Sequence, residues 1–311
     1  MASNLPQEVV DLHDSWLRRS GASHGLFNAF SLLHLILHSS VKTLLYFLLS
    51  LSMPLFAEPF IVAHRGASGE APENTLKAFL LAWEQGADAI EGDFHLTRDE
   101  RIVCFHDRTT KKLTGKDLTI NKSTLAELQT LDAGSWKGKD FAGTRIPTIE
   151  QVLDCVPPGK QIFIEVKCGP EIIPALIKAV KQSGLTNDQV VVISFQKNVV
   201  KALKKQVPDW TVNWLYSFDA RASHDPDKKL PHLLATLAEI KANGLGSSSH
   251  PGLSKGHLDS LNRKGFQHHV WTVNDPATAQ RFITMGCRSI TTDYPGALRK
   301  GLKRPLDTPL P

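Results

Sequence analysis

Short runs rich in β-branched residues alternate with helical patterns along residues 59–311, and this alternation constrains the fold more than any other feature. The strand candidates are Phe60–His64, Ala89–Asp93, Gln161–Lys167, Val190–Phe195, Thr211–Tyr216, Gly244–Ser249, His269–Asn274 and Arg288–Thr292. The helical patterns between them include Thr75–Gln85, Glu171–Gln182, Asn198–Gln206, His232–Ala242, Leu253–Arg263, Ala277–Met285 and Ala297–Lys300. Alternation of this kind predicts an α/β fold with a parallel sheet.

The number of strand candidates selects the architecture. Eight strands with intervening helices in ~250 residues are typical of a closed (β/α)8 barrel, the TIM barrel. The alternative is a doubly wound open sheet, but no G-x-G-x-x-G fingerprint follows the first strand candidate. We therefore predict one TIM-barrel domain over residues 59–311, preceded by an N-terminal extension over residues 1–58.

A ninth extended run, Arg101–Phe105, interrupts the alternation. Too few residues separate it from the preceding strand for a parallel crossover, so the two runs should form an antiparallel hairpin. A two-residue turn would place Cys104 opposite Asp93 and His106 opposite Glu91. This register brings a histidine beside two carboxylates.

Residues 107–159, called the insertion below, follow this hairpin. They carry two helical patches, Ser123–Thr130 and Thr148–Cys155, in place of the helix that would otherwise join the second and third barrel strands. We interpret the insertion as a small loop-rich segment above one barrel mouth, a region where substrate contacts tend to lie.

Residues 1–58 differ in composition from the remainder of the chain. Leu26–Leu55 is dominated by Leu, Phe and Ile, and the apolar run within residues 41–57 has the length of a signal-peptide core, below the ~20 residues of a comfortable bilayer span. Ala57 fits the position before a cleaved bond, and translation from Val41 would give an ordinary export signal. The extension predicts an exported protein, periplasmic or secreted. The alternative is a membrane anchor over residues 41–57, which would be the sole membrane contact.

Composition excludes several functions. The formal net charge of +5 is mild, and the lysine and arginine runs are typical of solvated helix faces. These runs are not interleaved with aromatic residues, so we expect no nucleic-acid partner. The four cysteines lack C-x-x-C spacing, which argues against a zinc knuckle or a thioredoxin-type site and leaves disulfides open.

Acidic residues occur twice at strand ends with a spacing of two. Glu91 and Asp93 point to the same side of one strand, and Glu165 and Lys167 repeat the spacing on the next barrel strand. Like charges held together need a counter-charge, most simply a divalent cation. Carboxylates suit a hard ion, Mg²⁺ or Ca²⁺, rather than zinc. A single strand-end acid is usually a solvated edge residue, but both pairs on one face predict a metal site.

Two histidines lie near these strand ends. His64-Arg65-Gly66 follows the first strand candidate, with Gly66 allowing a tight turn, and His106 ends the return strand of the hairpin. Two imidazoles flanking a phosphoryl group can divide the work, since one removes a proton from the nucleophile and the other protonates the leaving alkoxide. Arg65 offers a bidentate fork for a phosphate, and Lys167 adds a fixed positive charge.

Seven segments occur in order along the chain: AHRGASGEAPENT, EGDFHLTRD, FHDRTT, IPTIEQVL, IEVK, VWTVN and ITTDYP. Their combination resembles the glycerophosphodiester phosphodiesterase family over residues 60–302. The resemblance implies a metal-dependent TIM barrel that hydrolyses glycerophosphodiesters to an alcohol and sn-glycerol 3-phosphate. It also implies that Glu91, Asp93 and Glu165 are metal ligands. His64 and His106 would be the acid–base pair, and Arg65 and Lys167 would bind the phosphate.

Two further residues have open interpretations. Trp271, on the seventh strand, is either core or a ligand wall, and the resemblance favours a wall against the glycerol or head group. Asp293, at the end of the last strand, either orients a basic neighbour or caps the next helix.

Two other functions compete with hydrolysis of a small soluble glycerophosphodiester. The first is a phospholipase D-like or sphingomyelinase-like lipid phosphodiesterase, and the second is a non-catalytic phosphate-binding module. Mostly polar loops at residues 111–116 and 136–143 favour the small substrate, and the presence of both histidines argues against the module.

Overall fold

The structure is a computed structural model that describes residues 60–218 and 225–303. The predicted export signal or anchor, with the rest of the 1–58 extension, lies outside these residues. In the described part no helix is both long enough and apolar enough to cross a lipid bilayer. All four cysteines fall in the described part, and each is a free thiol.

Among the described residues, nine strands form one sheet. They are β1 (Ile61–Ala63), β2 (Ala89–Leu96), β3 (Ile102–Cys104), β4 (Gln161–Val166), β5 (Val190–Ser194), β6 (Thr211–Tyr216), β7 (Gly244–Ser248), β8 (Gln267–Trp271) and β9 (Ser289–Thr292). Eight run parallel in the order β1-β9-β8-β7-β6-β5-β4-β2, and pairing between β1 and β2 closes the ring. The predicted TIM barrel is confirmed. β3 lies outside the ring and pairs antiparallel with β2, as the predicted hairpin requires.

Side chains on the barrel strands alternate between two apolar environments. Val191 and Ile193 pack with Phe163 in the barrel interior, whereas Val190 and Val192 belong to the core between strands and helices. Because both faces are buried, such strands are nearly continuous runs of Val and Ile. The polar residues at the strand ends therefore stand above a packed apolar interior.

Helices follow the strands on the outside of the ring. They are α1 (Leu76–Glu84), α4 (Ile149–Asp154), α5 (Ile173–Gln182), α6 (Lys197–Gln206), α7 (Pro226–Glu239), α8 (Lys255–Arg263), α9 (Pro276–Thr284) and α10 (Pro295–Leu302), and the insertion adds α2 (Lys111–Thr114) and α3 (Leu125–Leu128). Most ends lie within a few residues of the predicted ones. α7 begins six residues before the predicted His232, because the Asp225 side chain accepts the Asp227 N–H and Pro226 occupies the first helical position.

The insertion packs with the end of the hairpin around a small hydrophobic core, which includes Phe105 from the hairpin and Ile120 and Leu128 from the insertion. Its last helix, α4, does not join this small core. It packs against α1 and α5 and buries Ile149 and Val152 in the main core. The prediction that the insertion replaces the barrel helix after the second strand is therefore wrong for this segment. α4 is that helix, shortened to six residues.

The β2–β3 hairpin is shifted by one residue from the predicted register, because its loop has three residues rather than two. Cys104 pairs with Phe94 instead of Asp93. Thr97 closes the longer loop: its N–H donates to the Arg101 carbonyl at 2.8 Å, and its hydroxyl accepts the Arg101 N–H at 2.9 Å. The predicted register was thus wrong, although the predicted pairing of the two runs is confirmed.

β1 and β3 share one edge of β2. β1 is three residues long and pairs with β2 only at Ala89 and Ile90, so it ends while β2 continues. β3 occupies the remaining edge and runs back towards β1, and the Phe105 N–H donates to the Asp93 carbonyl at 2.8 Å. The residues that follow β1 and β3 therefore converge beside the middle of β2.

β8 begins and ends earlier than the predicted strand His269–Asn274. Its bounds are Gln267–Trp271. The chain leaves the sheet after Trp271 because Asn274 is held by the end of β9, where its Oδ1 accepts hydrogen bonds from the Thr292 hydroxyl and the Asp293 N–H, both at 2.9 Å.

Candidate active site

The carboxyl ends of the barrel strands surround a cavity of about 170 Å³. One side is charged and the other apolar, and the lining residues are His64, Arg65, Glu91, His106, Glu165, Lys167, Ile193, Phe195, Leu215, Trp271 and Thr291. This end of the fold carries the active site in TIM-barrel enzymes. Seven of the eight predicted site residues line the cavity, and the eighth, Asp93, lies beside Glu91 and Glu165.

Glu91, Asp93 and Glu165 form a carboxylate cluster. One oxygen of each lies within 4.8 Å of the other two. The parallel pairing of β2 with β4 sets Asp93 beside Glu165, while the two-residue spacing places Glu91 on the same side as Asp93. Glu91 and Asp93 are 3% and 1% exposed, so water screens their charges poorly.

Asp93 is held by two cations and an amide. Arg65 Nε lies 3.2 Å from Asp93 Oδ2, and Lys167 Nζ lies 3.2 Å from Oδ1. Asn74 Nδ2 donates to Oδ2 at 2.9 Å, and Asn74 Oδ1 accepts the Asp93 backbone N–H at 3.0 Å. Burial acts to raise the pKa of Asp93, but Lys167 and Arg65 outweigh burial and lower the pKa. Asp93 is therefore ionised.

The positive charge near Glu91 and Glu165 does not compensate for their burial and for the neighbouring Asp93 charge. Glu91 Oε2 accepts the Arg65 backbone N–H at 2.9 Å, whereas Oε1 is buried without a hydrogen-bond partner among the described residues. Burial, and then the Asp93 charge, raise the pKa of Glu91 to about 8. The same two causes raise the pKa of Glu165 to about 7, although Lys167 Nζ lies 2.7 Å from it. An orphaned buried oxygen among converging carboxylates fits a hard divalent cation.

The turn after β1 directs Arg65 into this cluster. Arg65 has a φ of 55°, a left-handed conformation that residues other than glycine rarely adopt, and strain of this kind is concentrated at functional sites. Its Nη1 donates to Glu73 Oε1 at 2.9 Å. Gly66 follows with a φ of 80°, and a Cβ at this position would lie 2.5 Å from the Ala78 carbonyl carbon. The tight turn predicted at Gly66 is confirmed.

His64 is oriented by Asp293, whose Oδ1 lies 2.7 Å from His64 Nδ1. The same carboxylate accepts hydrogen bonds from the Ser68 hydroxyl at 3.0 Å and from Asn274 Nδ2 at 2.7 Å. Burial acts to raise the pKa of Asp293, but the hydrogen bonds from His64 and Asn274 outweigh it and lower the pKa to about 2. An ionised Asp293 can only accept, so His64 Nδ1 carries a proton and Nε2 remains for proton transfer.

His106 has a similar arrangement after β3. Its Nδ1 lies 2.7 Å from Asp107 Oδ1. Its backbone carbonyl accepts a hydrogen bond from His95 Nε2 at 3.1 Å, which fixes the chain at this point. Because the Nδ1 atoms of both cavity histidines face carboxylates, Nε2 is the nitrogen that each can use to move a proton.

The sequence matches the glycerophosphoryl diester phosphodiesterase family over residues 64–297. The chain belongs to this family. It is 33% identical over 252 residues to a glycerophosphodiester phosphodiesterase of Caldanaerobacter subterraneus subsp. tengcongensis, which covers 78% of this chain and 98% of the relative. It is also 28% identical over 268 residues to a lysophospholipase D of Mus musculus, which covers 76% of this chain and 84% of the relative.

A solved structure is similar over the same region. It is a phosphodiesterase of Oleispira antarctica in complex with the product sn-glycerol-3-phosphate, with a TM-score of 0.69 and 28% identity, covering 79% of this chain and 97% of that one. The predicted family is confirmed. The chain is an enzyme, a glycerophosphodiester phosphodiesterase.

Sequence patterns did not identify every residue at the site of this phosphodiesterase. Asn74 holds Asp93, while Asn274 and Ser68 hold Asp293. All three fall within segments that carried the family resemblance, but the sequence pattern did not indicate a role for these residues. Of the two roles predicted for Asp293, the structure shows orientation of a basic neighbour, since Tyr294 occupies the capping position of α10.

Apolar lining residues were also missed. Ile193 and Leu215 belong to buried strands, and an apolar strand residue has the same sequence pattern whether it faces a cavity or the core. None of the described residues that line the cavity lies in the insertion.

Proposed function

We propose that this enzyme hydrolyses glycerophosphodiesters to an alcohol and sn-glycerol 3-phosphate, with His64 and His106 as its acid–base pair. The observation that carries the proposal is that both imidazoles line one cavity with Glu91, Arg65 and Lys167. Membership of the family supports the reaction. The product bound in the Oleispira antarctica structure supports this substrate class.

The two histidines divide the proton transfers. One accepts a proton at Nε2 from the attacking oxygen, and the other donates a proton from Nε2 to the leaving alkoxide as the P–O bond breaks. The attacking oxygen belongs either to water or to the glycerol 2-hydroxyl, which would give a cyclic phosphate that water then opens. Either route consumes one water per diester. Each proton transfer leaves the base protonated and the acid neutral. On the route through the cyclic phosphate, the opening by water restores both protonation states. On the direct route, proton exchange with solvent restores them.

Arg65 and Lys167 are the proposed phosphate ligands. Burial acts to lower the pKa of each, but the carboxylates around them, Asp93 first, outweigh burial and raise both pKa values. Both side chains therefore remain charged. Fixed cations in a partly buried site stabilise the charge that develops on the phosphoryl oxygens.

Glu91, Asp93 and Glu165 are the proposed ligands of one divalent cation, Mg²⁺ or Ca²⁺. When bound, such a cation supplies charge neutralisation at the phosphoryl oxygens. Asp93 is ionised, and Glu91 Oε1 is a buried oxygen that has no hydrogen-bond partner among residues 60–218 and 225–303. Lys167 contacts both Asp93, at 3.2 Å, and Glu165, at 2.7 Å, and so keeps these two ligands together.

Trp271 is the proposed wall against the glycerol or head group. It ends β8, lines the cavity and meets Phe195 edge to face with 5.6 Å between ring centres. The cavity of about 170 Å³ is smaller than the ~300–1,000 Å³ of pockets for drug-sized ligands. A small soluble substrate therefore fits better than a lipid.

The second candidate is a lipid substrate. It is favoured by the apolar side of the cavity, formed by Ile193, Phe195, Leu215 and Trp271. The name of the Mus musculus relative, a lysophospholipase D, supports a phospholipase D-like reaction over a sphingomyelinase-like one. A non-catalytic module is disfavoured by membership of an enzyme family with both histidines in place.

Residues 41–57 are proposed to export the enzyme, with membrane anchoring as the alternative. Sequencing the N-terminus of protein purified from the native host tests this. A mature N-terminus just after Ala57 would support export with cleavage, whereas an intact 41–57 segment would contradict it.

The decisive experiment measures release of glycerol 3-phosphate from glycerophosphocholine by wild-type enzyme, His64→Ala and His106→Ala. Each substitution should reduce kcat by about 10²–10⁴-fold, the usual contribution of general acid–base catalysis. His232→Ala, at an exposed position of α7, is the matched control and should match wild type. Undiminished hydrolysis by both variants would rule out the mechanism. A kcat/KM higher for lysophosphatidylcholine than for glycerophosphocholine would show that the preferred substrate is the lipid and would contradict the small soluble substrate.

A further inference from the structure

Lys137, in the insertion, is joined to His64 by a chain of hydrogen bonds. Its Nζ donates to the Ser68 carbonyl oxygen at 2.7 Å. The Ser68 hydroxyl donates to Asp293 Oδ1 at 3.0 Å, and the same oxygen lies 2.7 Å from His64 Nδ1. A loop outside the barrel is thereby connected to an imidazole that lines the cavity.

Lys137 is itself held in place. Its ammonium lies 5.6 Å from the centre of the Trp136 ring, within the range of a cation–π contact. The Trp136 indole donates to the Ala133 carbonyl at 2.9 Å, which fixes a ring that is 41% exposed. A charged donor also makes a stronger hydrogen bond to a carbonyl than a neutral donor does. Lys137 is therefore suited to restrain the Ser68 backbone.

Ser68 lies in the loop between β1 and α1, and the end of β9 holds the other side of that loop. The Gly69 N–H donates to the Asp293 carbonyl at 2.9 Å. The Tyr294 ring covers Gly69 so closely that a Cβ there would lie 2.1 Å from the ring. The loop is thus fastened to β9 on one side and to the insertion on the other, and the Ser68 hydroxyl lies between them.

We propose that Lys137 is a positioning residue for the reaction. By holding the Ser68 carbonyl, it sets the Ser68 hydroxyl against Asp293, and Asp293 in turn fixes the His64 imidazole for proton transfer. The inference rests on the proposed function, since it requires His64 to act in the reaction. It also assigns the insertion a role, which is to support the acid–base pair rather than to contact the substrate.

The position of Lys137 predicts how its loss affects the kinetics. Lys137 is not among the described residues that line the cavity, so its removal should lower kcat and leave KM unchanged. A lysine that merely attracted an anionic substrate would instead affect KM. Misplacement of a reacting group by a fraction of an ångström is sufficient for a loss of about tenfold in kcat.

The test compares Lys137→Met, Lys137→Arg and the control Lys139→Met, an exposed lysine two residues away. With glycerophosphocholine as substrate, Lys137→Met should lower kcat about tenfold with KM within about twofold of wild type. Lys137→Arg should recover most of the loss, because a guanidinium can also donate to the Ser68 carbonyl. A change in KM alone, or equal losses for Lys137→Met and Lys139→Met, would overturn the inference.

A double-mutant cycle tests the route through Ser68. If Lys137 acts through the Ser68 hydroxyl, adding Lys137→Met to Ser68→Ala should cause little further loss of kcat. Losses that multiply would overturn the route. His64→Ala separates this test from the proposed function. An active His64→Ala variant contradicts that function. An inactive His64→Ala variant, together with a Lys137→Met variant whose kcat equals that of wild type, contradicts only the inference. Thermal unfolding of each variant identifies any loss caused by misfolding.

Discussion

Asp293 Oδ1 lies 2.7 Å from His64 Nδ1, although the two residues are 229 positions apart in the chain. Their strands become neighbours because the barrel closes, and Ala63 pairs with Thr292 one residue before each of them. The residues that directly follow the first and last strands of the ring thus form this pair. The oriented imidazole exists only when the ring is complete.

Replacing Asp293 with Asn should lower kcat by about 10²–10³-fold, because a neutral amide neither enforces a proton on His64 Nδ1 nor stabilises the imidazolium. KM should change little, since Asp293 is not among the described cavity-lining residues. Steady-state kinetics with glycerophosphocholine measures both values. Asp209→Asn, at an exposed position after α6, is the control. Equal kcat for Asp293→Asn and wild type would contradict the orienting role.

Removal of divalent cations with EDTA should abolish activity, and Mg²⁺ or Ca²⁺ should restore it. Glu91→Gln should raise the half-activating cation concentration at least about tenfold, because one charged oxygen ligand is lost at a buried position. Glu84→Gln, exposed on α1, serves as the control. Binding of the cation should also raise the midpoint of thermal unfolding of wild type, and less so for Glu91→Gln. Full activity in excess chelator would contradict a metal role.

The carboxylate cluster was predictable because it depends on short-range rules. The two-residue period of a strand puts Glu91 and Asp93 on one side, and the parallel neighbour β4 brings Glu165 to the same end of the barrel. Strand and helix alternation likewise predicted the barrel. Each of these inferences needs only local pattern and the closure of a parallel sheet.

The remaining features depend on contacts that no local pattern reports. The hairpin register was wrong by one residue because Thr97 and Arg101 close a three-residue loop. The strand prediction at β8 extended too far because Asn274 is bound by Thr292, a residue on β9. The hydrogen bond from Lys137 to the Ser68 carbonyl spans 69 positions and involves a backbone atom, which carries no sequence signature.

Trp271→Ala should raise KM for glycerophosphocholine by about tenfold, or about 1.4 kcal/mol, while kcat changes little. An apolar wall binds substrate and transition state alike, so its loss affects KM first. Trp271→Phe should have a smaller effect, because a ring remains beside Phe195. If Trp271 served only as core, Trp271→Ala would lower the thermal midpoint and leave KM at the wild-type value.

Acid should destabilise the fold through His268. This histidine is 1% exposed, its Nε2 lies 2.9 Å from the Ser247 hydroxyl, and burial lowers its pKa from 6.5 to about 4. As the pH falls from 6.5 towards 4, the unfolded chain binds a proton that the folded chain does not bind. His268 therefore decreases the free energy of unfolding by up to about 1.4 kcal/mol per pH unit in this window.

The measurement is a series of urea unfolding curves between pH 7 and pH 4.5 for wild type, His268→Gln and the exposed control His232→Gln. His268→Gln lacks the titrating group, so its free energy of unfolding should fall less steeply with acid than that of wild type, even if it is less stable at pH 7. His232→Gln should follow wild type, because folding leaves that side chain in water. Parallel pH profiles for wild type and His268→Gln would contradict a lowered pKa of His268 in the folded chain, since the difference between the two profiles isolates this residue from the carboxylates that titrate in the same range.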